Sequence, residues 1–351
     1  MHLHGCKKEE VEKVIAPLVS DGQTTESTEE AQEEKDPLIP EIDTSVELQA
    51  GSRVAVVSKS TSGEFWGLVK KGMEQAIADV NEAYGFKKED QVTMTFEGAS
   101  DEKDVESQVN TIDAVIAENP DVLCVSASDM DSLQAQLEAA KENGIPVVAF
   151  DSGVTDSKMV RAFRGTDNTR VGEIAAYRLA TAIGKMGKVA VFSAQEKTQS
   201  IQERVSGFTN YITNYPDIEV VEIVYQDQVD DMTAAMQEVL DKYPQLDGVF
   251  CDNADIADLY LDMKKDETKD SIVMVGVDAT AKQQEAIRNS KEVGVVSQQP
   301  YAMGYQTIWT ALLTTAPKKS VEIKRNVRID PAWIDSSNID DPTYSSYLYA
   351  N

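Results

Sequence analysis

Asn143-Gly-Ile-Pro-Val-Val-Ala-Phe-Asp151 is an apolar run that ends on a carboxylate. Residues 145–150 show no alternation between a wet and a dry face, so a strand built from them must be covered on both sides. Strand-like runs recur upstream. Arg53-Val-Ala-Val-Val-Ser58, Val92-Thr-Met-Thr-Phe96 and Val122-Leu-Cys-Val-Ser126 are separated by helical periodicity over residues 65–81, 101–119 and 131–143. Apolar strands that alternate with helices predict an α/β fold with a parallel sheet covered on both faces.

Downstream the alternation restarts. Helical stretches at 167–184, 200–215, 231–243, 256–264 and 282–289 enclose strand-like runs at 188–192, 218–225, 248–251, 272–277 and 293–297. Pro120-Asp-Val-Leu-Cys-Val125 is echoed by Pro244-Gln-Leu-Asp-Gly-Val-Phe-Cys251: a proline closes a helix and a cysteine-bearing strand follows. A chain of 351 residues has room for two cores, so two similar doubly wound lobes are expected. Open α/β sheets bind ligands beyond the carboxyl ends of their strands. Those loops, at 58–65, 126–131, 151–155, 193–199, 252–255 and 278–281, are rich in Ser, Asp, Asn and Gln.

Composition excludes several functions. The 61 acidic and 33 basic side chains give a net charge of −28, which argues against nucleic acid and anionic membrane surfaces as partners. His2 and His4 are the only histidines, which removes Ser-His-Asp and Cys-His catalysis and His-ligated zinc from the folded part. No G-x-G-x-x-G, Walker A or calcium-loop pattern occurs, so no cofactor or metal is expected and the chain reads as a non-enzyme. Cys124 and Cys251 sit inside apolar runs and read as small buried hydrophobes. No run of ~18 apolar residues is present.

Residues 1–50 carry 13 Asp/Glu and 4 Lys/Arg, and Thr24-Thr-Glu-Ser-Thr-Glu-Glu-Ala-Gln-Glu-Glu-Lys35 is nearly devoid of apolar content. The whole segment is expected to be a flexible acidic tether. Leu3-His-Gly-Cys6 resembles the end of a bacterial lipoprotein signal, with Cys6 as the lipid-attachment site. No basic or apolar signal region precedes it, so an extracytoplasmic, lipid-anchored protein with a trimmed signal peptide is expected.

From Arg53 to Asn338 the motifs together resemble the periplasmic-type sugar-binding proteins of the ribose/galactose group, the type I solute receptors of ABC importers. Phe65-Trp66 with Gly72, the 143–151 run, Gly165-Thr-Asp-Asn168 with Gly172, and Arg204 with Gly207-Phe208 follow that family's order. So do Val249-Phe-Cys-Asp-Asn253, Val275-Gly-Val-Asp278, and Ser297-Gln298 with Pro300. The resemblance implies the type I periplasmic binding protein fold, with lobe 1 at 51–165 plus 299–323 and lobe 2 at 166–298 plus 324–351. Three hinge crossovers would lie near 164–166, 297–299 and 324–327.

The resemblance also implies a site. Phe65 and Trp66 would sandwich a sugar ring. Asp151 would accept from adjacent hydroxyls, and Arg204, Asn253, Asp278 and Gln298 would close on the ligand from the second lobe. Ser126, Ser152 and Asp230 complete the candidate set. Ser152 stands where ribose-type members have arginine, Ser126 where an asparagine is expected, and Gly63-Glu64 where an Asn-Pro-like pair is expected. The implied protein is a monomer that binds a monosaccharide-like ligand by hinge closure and delivers it to an ABC permease and ATPase complex. The sequence leaves open a sensor that serves a membrane kinase or chemoreceptor, and a polyol or nucleoside as ligand.

Overall fold

The structure is a computed structural model that describes residues 35–267, 270–317 and 321–349. Two six-stranded sheets organise it. The first holds β1 (Arg53–Val57), β2 (Thr93–Glu97), β3 (Val122–Val125), β4 (Val147–Phe150), β5 (Ala162–Thr166) and β11 (Asn326–Ile329), in the order β11-β5-β4-β3-β1-β2. All its pairings are parallel. The second holds β6 (Gly187–Ser193), β7 (Ile218–Tyr225), β8 (Gly248–Cys251), β9 (Val273–Val277), β10 (Gly294–Ser297) and β12 (Ala332–Asp335), in the order β12-β10-β9-β8-β6-β7. Only β12 is antiparallel, against β10.

The two orders match place by place. The cysteine-bearing strands β3 and β8 hold the same position in their sheets, every residue of each is buried, and both thiols are free. Burial pushes both thiols up, which suits inert packing groups.

Each lobe also has one close helix pair. In the first, α1 (Glu64–Tyr84) meets the late helix Pro300–Thr314, and in the second, α4 (Asn168–Ala182) meets α5 (Gln199–Ile212). Glycines make the approach possible. A Cβ on Gly72 would lie 2.0 Å from the Tyr301 carbonyl oxygen, and one on Gly304 would lie 2.2 Å from that of Val69. In the second lobe a Cβ on Gly172 would lie 2.1 Å from the Arg204 carbonyl, and one on Gly207 would lie 2.2 Å from that of Thr169. The remaining helices are α2 (Val105–Ala117), α3 (Gln134–Glu142), α6 (Met232–Lys242), α7 (Ala254–Met263) and α8 (Ala281–Arg288), which makes Pro300–Thr314 α9.

The chain passes between lobes after β5, after β10 and between β11 and β12. The last passage corrects the expected boundary. Asn326–Ile329 pairs parallel with β5 in the first sheet, so Asp330-Pro331 carries the crossing and the stretch before it belongs to lobe 1. The tether is corrected as well. Leu48 is buried in the first lobe's core, and Leu38, Ile39, Ile42 and Val46 pack against it. Tyr84 Oη donates to the carbonyls of Asp43 and Val46 (2.9 and 2.6 Å), and Gln306 Nε2 donates to that of Leu38 (2.7 Å). Those five apolar side chains bury enough surface to fix residues 35–50. Cys6 and the histidines lie outside the described residues.

Candidate ligand-binding site

The carboxyl ends of both sheets face a cleft that encloses a cavity of about 210 Å³. Asp151 follows β4 and Asp278 follows β9, the same position in each lobe. Both adopt left-handed backbone, with φ of +60° and +73°, a conformation aspartate tolerates better than most residues. Each turns its carboxylate into the cavity wall, 3 % and 4 % exposed.

Asp151 Oδ2 accepts from Ser126 Oγ (2.6 Å) and pairs with Lys59 Nζ (2.9 Å). Lys59 also donates to Ser152 Oγ (3.0 Å), and Ser152 donates to Ser200 Oγ of the second lobe (2.8 Å). Asp278 Oδ1 accepts from Gln298 Nε2 (2.7 Å) and Tyr349 Oη (2.8 Å), and its Oδ2 accepts from the Ala254 amide (2.9 Å). Gln298 Oε1 accepts from Thr166 Oγ1 (2.7 Å), which ties two crossovers together beneath the cavity. Arg204 donates Nε to Asn168 Oδ1 (3.0 Å) and Nη1 to the Asp252 carbonyl (2.9 Å). Asn253 caps α7 by accepting from the Ile256 amide (2.9 Å).

Phe65, Trp66, Asp151, Arg204, Asn253, Asp278 and Gln298 thus line one cavity. Ser126 and Ser152 do not: both are fully buried behind its wall and hold Asp151 and Lys59 in place. Asp230 lies elsewhere. It is exposed in the loop after β7, and β7 is the sheet's edge strand, farthest from the crossovers. The aromatic sandwich is corrected too. Phe65 and Trp66 touch edge to face (centroids 5.0 Å apart, 83°), so no slot opens between them and each offers one surface.

Lys59 is the main addition. It is 5 % exposed, lines the cavity and lies 5.8 Å from the Trp66 ring centroid. It supplies a cation beside Asp151 that Ser152 cannot. Its place in the loop after β1 was the available signal. Tyr349, Glu102, Asp255 and Asp258 are the other residues the motifs did not point to as contacts; Glu64, at the expected Asn-Pro-like pair, lines the cavity as well. Trp66 Nε1 donates to Glu102 (2.8 Å), and Glu64 Oε2 accepts from the Ala281 amide across the cleft (3.0 Å). Burial, aided by Glu102, Asp258 and Asp278, pushes Asp255 up to about 7; burial pushes Asp258 up to about 6.

The lobes meet at the cleft rim. The Met130 amide donates to the Lys197 carbonyl (2.9 Å), Thr198 Oγ1 to that of Ser128 (2.6 Å), and the Gly153 amide to Gln199 Oε1 (2.7 Å). This is a closed arrangement.

A polar cluster lies directly behind Asp278. Gln283 Nε2 donates to the carbonyls of Val277 and Asp278 (2.9 and 3.3 Å). Gln283 Oε1 and both Glu292 carboxyl oxygens have no hydrogen-bond partner among the described residues. Burial, and to a lesser degree Asp258, pushes the Glu292 carboxyl well above its ordinary 4.5, so the folded protein keeps this proton to higher pH than the unfolded chain does. Below 4.5 both folded and unfolded chains keep the proton and this group's contribution is complete. As pH rises, the unfolded chain releases its proton first, and stability falls by about 1.4 kcal/mol per pH unit until the folded group ionises. Glu292→Gln is therefore expected to have a flatter dependence of Tm on pH, with its advantage over wild type growing as pH rises above 4.5. Asp252 and Asp258, both raised to about 6, and Asp255, raised to about 7, titrate in the same sense in both proteins. The difference between the two melting curves isolates Glu292. Parallel curves would show that it is not neutral in the folded state.

Residues 54–316 match the family described as periplasmic binding protein domain. Among curated relatives, the ribose import binding protein RbsB of Bacillus subtilis is 27 % identical over 203 residues, 58 % of this chain and 66 % of that protein. The xylitol-binding protein of Mycolicibacterium smegmatis is 23 % identical over 54 % of this chain and 55 % of its own length. The matches thus span less than two thirds of these relatives. Among solved structures, an ABC transporter solute-binding protein from Agrobacterium vitis with bound D-fucose aligns with a TM-score of 0.77 and 28 % identity. That alignment covers 85 % of this chain and all of that one (100 %). A carbohydrate transporter solute-binding protein from Agrobacterium radiobacter in complex with D-arabinose aligns at 0.76 and 28 %, over 85 % of this chain and 99 % of that one. Through its twin parallel sheets, three crossovers and matched motifs, the chain belongs to the periplasmic binding protein family.

Proposed function

We propose that this protein is an extracytoplasmic solute receptor that encloses a monosaccharide-like ligand between its lobes and presents it to an ABC permease and its ATPase. One observation carries the reading: Asp151 and Asp278, from equivalent strand ends of the two lobes, line a single cavity with Arg204, Asn253 and Gln298. Carboxylate, amide and guanidinium groups meet the paired hydroxyls of a polyol, and Trp66 and Phe65 offer apolar surface to its C–H faces. A ligand held by the first lobe completes its hydrogen bonds only when the second arrives, so binding favours the closed form by its differential affinity. The protein does no covalent chemistry in this role. Cys6 would carry the lipid that keeps the receptor at the membrane, a reading that rests on Leu3-His-Gly-Cys6 and the acidic stretch after it.

The test is a thermal-shift panel of the whole chain against monosaccharides, polyols, nucleosides and amino acids. A ligand at about 100 times its Kd adds roughly 2.7 kcal/mol, which at this size raises Tm by about 4 °C. Shifts confined to one or two sugars are expected. A panel in which only nucleosides or amino acids shift the protein would refute the sugar reading.

A further inference from the structure

The cavity is lined by six carboxylates, Glu64, Glu102, Asp151, Asp255, Asp258 and Asp278, against two cations, Lys59 and Arg204. Lys59 is already paired with Asp151. The three hydrogen-bond donors on Asp278 are all neutral groups. Glu102 accepts from an indole N–H, and Asp258 accepts from the Thr280 hydroxyl with Lys282 near enough to offset part of its charge. Lys282 is shared with Asp262 (2.5 Å), and Lys103 pairs with Asp101 (3.4 Å). A neutral ligand that closed over this rim would strip water from carboxylates with little to balance them, which is costly. Around Asp255, Glu102, Asp258 and Asp278 add to burial in raising the carboxyl.

A second observation faces the same space. Arg204 is 3 % exposed and lines the cavity, yet among the described residues its Nη2 makes no hydrogen bond. That N–H asks for a hydroxyl or ring oxygen. The occupant therefore offers oxygen acceptors toward Arg204 and positive charge toward the rim. Among the described residues no three carboxylates converge to hold a metal ion, so their spread suits an organic cation.

We propose that the cleft takes a monosaccharide-like ligand that carries a protonated amino group, recognised by Arg204 through its oxygens and by Glu102 and Asp255 through its charge. This deepens the sugar-receptor reading and rests on it. Calorimetric titration of the full chain would compare D-galactosamine with D-galactose and N-acetyl-D-galactosamine, D-glucosamine with D-glucose, and an imino-arabinitol with D-arabinose. In at least one set the charged member is expected to bind roughly ten- to a hundredfold more tightly than its neutral partner. That gap should shrink in 0.5 M NaCl (roughly a 4 Å Debye length) and in the Glu102→Gln/Asp255→Asn double variant. A neutral sugar that binds as tightly as its amino counterpart overturns the charge assignment and leaves the sugar receptor standing. If no sugar of either kind binds, and the thermal-shift panel finds only another solute class, the receptor reading falls and this inference with it.

Discussion

Asp278→Ala should abolish ligand binding and cost the folded protein about 3–6 kcal/mol. Three donors converge on this one carboxylate: Gln298 Nε2, Tyr349 Oη and the Ala254 amide. Truncation strands all three in a site where Gln298 and Tyr349 are 2 % and 1 % exposed, and each stranded donor costs about 1–3 kcal/mol. Alanine at a φ of +73° adds backbone strain. Asp278→Asn separates stability from binding. Asparagine accepts the left-handed backbone and can still receive the Tyr349 and Gln298 hydrogen bonds through its carbonyl oxygen, but it loses the charge and the hydrogen bond from the Ala254 amide. The asparagine protein is expected to fold, with urea unfolding within about 1–2 kcal/mol of wild type, and to bind its sugar at least about a hundredfold more weakly. Wild-type affinity in Asp278→Asn would remove Asp278 from the binding site.

What was legible in the sequence follows a physical rule. Strands β3, β4 and β8 were readable because every residue of each is buried, so their composition alone marks them. Asp151 and Asp278 were readable because a carboxylate directly after such a strand has few other reasons to be there. Lys59 was not, since its partners Asp151 and Ser152 lie more than ninety residues away and only the fold brings them together. Tyr349, 71 residues beyond Asp278, was hidden in the same way. Phe65 and Trp66 failed as a sandwich for a local reason: neighbours on a helix point about 100° apart and cannot face one another across a ligand. Asp230 failed because a loop after an edge strand looks, in sequence, like a loop after a central one. The tether was misjudged at its end because averaging over residues 1–50 diluted the five apolar side chains between Leu38 and Leu48.

Gly172→Ala is the second large effect, and its sign is the informative part. Glycine inside a helix is intrinsically worse than alanine by about 1 kcal/mol, so propensity alone predicts that the substitution stabilises. Packing predicts the reverse. A Cβ at 172 would stand 2.1 Å from the Arg204 carbonyl oxygen and 2.6 Å from the Phe208 amide, and both are backbone atoms that no rotamer change can move aside. Helices α4 and α5 would have to part, and a loss of about 3 kcal/mol is expected. Gly67 on α1 is the control, because a Cβ there meets nothing within 4 Å. Gly67→Ala should stabilise by about 1 kcal/mol with unchanged ligand affinity. The atom displaced by a methyl at 172 belongs to Arg204 itself, so the damage should reach the site: as α5 shifts, the guanidinium loses its alignment with Asn168 and the Asp252 carbonyl. Gly172→Ala is therefore expected to bind its ligand at least about tenfold more weakly, even at temperatures where it is fully folded. Equal stabilisation by both substitutions, read from urea unfolding, would mean that the helix contact is loose enough to yield. Loss of stability with affinity intact would place the contact in the scaffold and leave Arg204 positioned from the β8 end alone.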